Sequence, residues 1–185
     1  MLPASAVVLL LAQFLLLAAY GGFITTYAPL AQQVLQWSAV QVGMIFSVFG
    51  VGSVTAGPWL AHAADRFGRR RIATLACLVL ATFPVILVLQ PPRPLLYVVT
   101  FAAGGGWTAF SAAWFALLSA TTPTLRRGQT FGVVSAASTF GTAAGALAAS
   151  AIWHRAGLHS AVVALSVPIL LAGAAVLATP RKRGP

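Results

Sequence analysis

Six stretches of this chain are each long and apolar enough to cross a bilayer, and none of them carries an Asp, Glu, Lys or Arg. They fall at residues 4–27, 40–61, 72–89, 95–119, 131–153 and 160–178. A hydrocarbon core needs about 20 apolar residues in helical form, and inside it every backbone N–H and C=O must be satisfied within the protein. The runs therefore read as helices. Barrel strands of about 9–11 alternating residues do not fit them, because they are continuous and rich in Leu, Ala and Val. The connections are short, so residues 1–185 read as a single all-α integral membrane domain of six spans.

Charge supports that reading. Only 6% of the 185 residues are charged, against about 25% in a soluble domain. With 59% apolar residues, the chain is not disordered either. The net charge of +10 does not mark a nucleic-acid binder, because the basic residues are not spread over a hydrophilic face. They sit between spans instead. Arg66, Arg69, Arg70 and Arg71 follow span two, Arg126 and Arg127 follow span four, and Arg181, Lys182 and Arg183 follow span six. Arg93 and Arg155 lie on the other side. Cytoplasmic segments are rich in Lys and Arg, so both termini are expected to be cytoplasmic, with anionic lipid as the natural partner of the charge. The first run lacks a basic leader and is too long for a signal peptide. Cys77 reads as a small packing residue.

The spans differ in a repeating way. Span one carries Gln13, Tyr20 and Tyr27, seven residues apart and so on one face. Span four carries Trp107, Thr108, Ser111 and Trp114. Polar groups facing lipid are costly, so both stripes are expected to face protein or a wet cavity. Tyr27 lies near the outer surface, where aromatic rings also serve as interfacial anchors. Spans two and five are marked by small residues: Gly43, Gly50 and Gly57 with Ser47, then Gly132, Ser135, Ser138, Gly141 and Gly145. Such rows let helices approach closely. Spans three and six are the greasiest and read as peripheral, with Pro84 and Pro168 at corresponding places as local kinks. The order polar, small, greasy occurs twice, which is a three-plus-three repeat of the kind found in secondary transporters.

The turn after span two reads Asp65-Arg66-Phe67-Gly68-Arg69-Arg70-Arg71. It resembles the signature loop G-x-x-x-D-R-x-G-R-R of the major facilitator superfamily, in the matching place between second and third helices. Arg126-Arg127-Gly128, followed by Phe131-Gly132, looks like the loop before that family's fifth helix. The resemblance implies one six-helix half of the major facilitator fold, with Asp65, Arg66, Gly68, Arg69, Arg70, Arg126 and Arg127 forming a conformational latch. Gly68 can take the positive φ of a tight turn. Asp65 can cap a helix or accept charge-assisted bonds, and a pairing with Arg66, Arg126 or Arg127 is expected. The plainer reading is a topology signal with a helix cap. There are departures: Ala61 stands where the motif has Gly, the run from Gly141 to Gly145 lacks the Gly-Pro of antiporters, and span four has no Arg. Antiport is therefore not carried over. The missing residues and the basic tail are more like the C-terminal half.

The expected activity is transport of a small neutral or amphipathic solute by alternating access, alongside a second six-helix half or in a homodimer. Gln13, Tyr20, Trp107, Thr108, Ser111 and Trp114 are the cavity candidates, with lipophilic cations over the ring faces as a further class. No span holds a carboxylate, and His62, His154 and His159 sit at span ends. This argues against an intramembrane enzyme, and no cofactor or metal is implied. The alternative is a non-transporting fragment or a regulatory membrane protein. The short lead before span one fits a fragment, a split gene or a start inside a longer reading frame. Arg-rich, Lys-poor composition without Asn or Glu fits a GC-rich bacterial genome.

Overall fold

The computed structural model describes residues 4–122 and 127–179. Six spans are long and apolar enough to cross a membrane, and no strand occurs among the described residues. Helix α1 covers Ala4–Pro29 and runs on into a π-helical turn, Leu30–Val34. Helices α2 (Ala39–Phe67), α3 (Arg69–Leu89), α4 (Arg93–Thr121) and α5 (Arg127–Ala156) follow. The sixth span is two helices, α6 (Leu158–Ala164) and α7 (Ser166–Ala178), broken at Leu165. Pro168 explains the break, since it has no N–H to donate to Ala164 one turn back. Pro84 lies buried inside α3, which stays continuous.

Most helices outrun their apolar segments, because polar residues at the ends continue the backbone ladder. Residues 28–39, expected as a loop, are helical as far as Val34. The chain then turns through Gln36 at φ 54 and restarts at a capping box. There the Ser38 N–H donates to Gln41 Oε1 (2.9 Å) and the Gln41 N–H to Ser38 Oγ (3.3 Å). The S-x-x-Q spacing announces this start.

The three-plus-three repeat is present in the packing. Helix α2 lies along α4, and α5 lies along α1. The second helix of each set thus rests on the first helix of the other. Glycines make both crossings. A Cβ on Gly52 would run into the backbone of Phe101, and one on Gly104 into that of Phe49. On the other side, a Cβ on Gly21 would meet the Thr142 backbone, and one on Gly145 the carbonyl of Ala18. The junctions match as well. Gly68 (φ 101) is the single residue between α2 and α3, and Gly157 (φ 84) the single residue between α5 and α6. Each follows an Arg by two positions, Arg66 and Arg155.

Two expectations about helix roles are corrected. The third and sixth spans keep an exposed apolar row each, as Leu75 and Leu78 or Val167 and Leu171 show, but they are more covered than peripheral helices would be. They pack on each other and behind α4 and α1, with Cys77 fully buried and the Thr74 hydroxyl donating to the Gly173 carbonyl (3.2 Å). Ser166 Oγ donates to the Ala81 carbonyl (2.8 Å) and ties α7 to α3 near Pro84. Hydropathy does not separate these cases, because lipid and a helix interface are equally apolar surroundings. The least covered helices are α2 and α5. In the small-residue rows, Gly57 meets Thr108, Gly141 meets Phe14, and Gly145 meets Ala18. Gly43 and Gly50 meet nothing within 4 Å of a built Cβ. Of that row on α2 only Gly57 packs against α4, and Gly52, outside the row, makes the closest approach to it.

Candidate functional site

A cleft of about 190 Å³ lies between α1, α2, α3, α4 and α7. Helix α1 contributes Leu16, Ala19, Tyr20 and Phe23, an i, i+3, i+4, i+7 set that shares one face. Ile45, Phe46 and Phe49 of α2 form the adjoining wall. The floor is Leu80, Phe83 and Pro84 of α3 with Leu165, where the sixth span breaks, and Ile169 of α7. Trp107 of α4 completes the ring, its centroid 5.3 Å from that of Tyr20. Phe23 stands 5.5 Å from Phe83 and 6.1 Å from Phe46. The mouth is where Tyr20 and Phe46 are exposed, 41% and 48%. Aromatic pairs at these separations add to packing through their quadrupoles.

The sequence candidates divide. Tyr20 and Trp107 meet in the cleft. Trp114 does not line it: its ring is fully buried, and its Nε1–H donates to the Leu9 carbonyl (2.8 Å). Trp107 and Trp114 share a face of α4, but seven residues place them ~10 Å apart along the axis. At the level of Trp114, α1 has closed against α4. Thr108 is spent on the α2–α4 crossing. Its hydroxyl donates to the Ser53 carbonyl (3.1 Å), and the Ser53 hydroxyl lies 2.5 Å away. Gln13 and Ser111 are half-buried and outside the cleft lining. Tyr27 is buried and donates to the Val42 carbonyl (3.0 Å), tying α1 to α2. Phe23, Phe46, Phe49 and Phe83 were not singled out from the sequence. For Phe23 the signal is its i+3 spacing from Tyr20 on α1; Phe46, Phe49 and Phe83 lie on α2 and α3, where a phenylalanine in an apolar span carries no mark of its own.

The charged turn follows α2. Asp65 Oδ1 accepts from Arg69 Nη2 (3.0 Å) and Nε (3.1 Å). The expected pairing with Arg66 is thus corrected: Arg66 instead holds its guanidinium 5.5 Å from the Phe67 ring centroid. The reason is local. Gly68 ends α2 and α3 begins at once, which brings position 69 back over position 65. Arg126 and the side chain of Arg127 lie outside the described residues, as do Arg181, Lys182 and Arg183. Both members of the Asp65–Arg69 pair are well exposed (66% and 43%), and exposed pairs contribute about 0–1 kcal/mol. Asp65→Asn is therefore expected to shift the thermal midpoint in detergent by little. A large loss of stability would contradict the exposed geometry.

Comparison with known proteins places this architecture. Residues 9–185 match the model of the Major Facilitator Superfamily. The chain is 24% identical over 143 residues to the multidrug efflux pump Tap of Mycolicibacterium fortuitum, covering 77% of this chain and 35% of that protein. It is also 24% identical over 144 residues to the multidrug efflux pump Tap of Mycobacterium tuberculosis strain ATCC 25618 / H37Rv, covering 78% of this chain and 34% of that protein. The aligned part is about a third of each relative's length. With the family match running over nearly its whole length and six apolar helices paired as two sets of three, the chain belongs to the Major Facilitator Superfamily and is a multi-pass membrane protein of that transporter family.

Proposed function

We propose that the chain is a six-helix transport unit that moves a small neutral or amphipathic solute by alternating access, in the direction of efflux. The observation that carries this is the aromatic cleft, an apolar recess with an open mouth between helices that otherwise pack through glycine contacts. The name of the similar pumps supports the outward direction. A second six-helix unit, in another polypeptide or a second copy of this chain, would cover the outer faces of α2 and α5. Those faces are the least covered in the bundle and carry Gly43, Ser47 and Gly50 on α2 and Gly132 on α5. The basic residues between the spans support a reading in which both termini face the cytoplasm and the membrane is the cell inner membrane. In this reading Asp65, Arg66, Gly68, Arg69 and Arg70, with Arg126 and Arg127, form a latch that opens as the two units rock.

The test is accumulation of a neutral lipophilic dye by cells expressing the chain. Expressing cells are expected to hold less dye than vector controls, and Trp107→Ala is expected to restore the control level. Accumulation equal to the control would overturn transport by this chain alone. Crosslinking in mild detergent then decides the partner: a dimer blocked by Gly50→Leu supports a second copy, and a stable monomer in lipid rules it out.

A further inference from the structure

We infer that the cleft is a binding site for an uncharged, flat aromatic molecule of about naphthalene size, held by one six-helix unit without help from a second. The walls come from five helices of this chain, and the floor is closed by α3 and α7 at Pro84 and Leu165. A buried apolar cavity of about 150 Å³ stays dry and accepts benzene, so 190 Å³ suits a somewhat larger ring system. The rings of Tyr20, Phe23, Phe46, Phe83 and Trp107 offer faces and edges to a planar guest. They do not offer an ionic partner. No Asp or Glu lines the cleft, and the chain's one acid, Asp65, is ~24 Å further along α2 than Phe49. It is also engaged with Arg69.

A cation entering here loses its hydration with only ring faces in return. The attraction of ring faces for a cation is smaller than the loss on burying an unpaired charge. The cleft therefore discriminates against positive charge, and does so through composition rather than shape. This rests on the cleft being the ligand site of the proposed transport unit. Binding is read separately from transport, so a chain that binds but does not export would remove the transport reading and leave this one standing.

The experiment is equilibrium dialysis of the purified chain in nanodiscs, with empty nanodiscs subtracted for partition into lipid. The probes are dimethylnaphthylamine, neutral at pH 7, and trimethylnaphthylammonium, of nearly the same shape with a permanent charge. The neutral probe is expected to bind saturably and at least ~10-fold more tightly than the cation, a difference of about 1.4 kcal/mol. Ala19→Phe fills the cleft and is expected to abolish the saturable component. Should that variant fail to fold, Phe49→Ala removes a residue of the α2 wall and is expected to weaken binding severalfold. Ala102→Phe, on the exposed side of α4, is the control and binds as the parent does. Equal or tighter binding of the cation overturns the inference. So does neutral-probe uptake that never saturates or is unchanged in whichever of Ala19→Phe and Phe49→Ala folds.

Discussion

Gly145→Ala is expected to destabilise the bundle strongly, whereas Gly50→Ala leaves it unchanged or slightly more stable. Both substitutions add one methyl group to a membrane helix, and both replace glycine with a better helix former by about 1 kcal/mol. What separates them is the neighbour. At Gly145 the new Cβ would fall on the carbonyl of Ala18, a backbone atom of α1 that no rotamer change can move aside. Gly21 faces Thr142 in the same way at the next turn, so α1 and α5 would have to separate along their crossing. Overpacking of this kind costs ~3 kcal/mol when the surroundings cannot yield. At Gly50 nothing lies within 4 Å of the added atom, and the intrinsic helix preference is left to act alone. Thermal or denaturant midpoints of the two variants in the same detergent check the contrast. Shifts of equal size and sign would show that the α1–α5 crossing is not as tight as its geometry states. The experiment also separates two uses of a small-residue row. Gly141 and Gly145 form a GxxxG that suits a dimer face on paper, yet both are occupied within the chain, by Phe14 and Ala18.

The second large effect is expected at Trp114. Its ring is fully buried and its Nε1–H donates to the Leu9 carbonyl. Trp114→Ala removes the whole side chain and leaves a cavity between α1 and α4, a loss of about 3–5 kcal/mol. Trp114→Phe keeps most of the volume and deletes the hydrogen bond. Interhelical bonds in membrane proteins average only ~0.6 kcal/mol, so this variant is expected to stay close to the parent. Packing is thus the larger part of what Trp114 contributes. Trp107→Ala makes the opposite pattern. Trp107 is half-buried at the cleft wall, so its removal costs less stability and more ligand binding. Midpoints for all three variants, read beside binding of the neutral naphthyl probe, test the assignment. Loss of binding in a folded Trp114→Phe would place the second tryptophan in the site after all.

How far the site was legible in the sequence follows from these two rings. The polar and aromatic stripes put Tyr20 and Trp107 on inward faces, and the two rings meet. Trp114 and Thr108 belong to the same stripe of α4, yet they serve helix contacts. A helical wheel gives the angle of a side chain about its own axis. It gives neither the height at which the next helix approaches nor the angle of that approach. At the level of residue 107 the helices stand apart around a cleft, and two turns later α1 touches α4. The phenylalanines went unmarked for a related reason. Phe is ordinary in a membrane span, and Phe23, Phe46 and Phe83 become a site only by converging from three helices. The charged turn was legible as to its glycine, where φ is 101, but not as to its ion pair. Asp65 chose Arg69 over Arg66 because α3 starts immediately after Gly68.

By itself, the sequence determined that this chain lives in a bilayer, that it crosses six times, and that a glycine turn with one acid among arginines follows the second crossing. Those conclusions need only the cost of unsatisfied backbone and of charge in hydrocarbon, which act on each segment separately. Tertiary structure alone decided which helix lies on which, how far the greasiest spans are covered by α4 and α1, and which of the small-residue rows are already filled. In lipid those choices carry no hydropathy signature, since leaving acyl chains for a neighbouring helix changes little in polarity. They are settled by shape: how near two backbones come at Gly52, Gly104, Gly21 and Gly145, and where they part to leave a cleft.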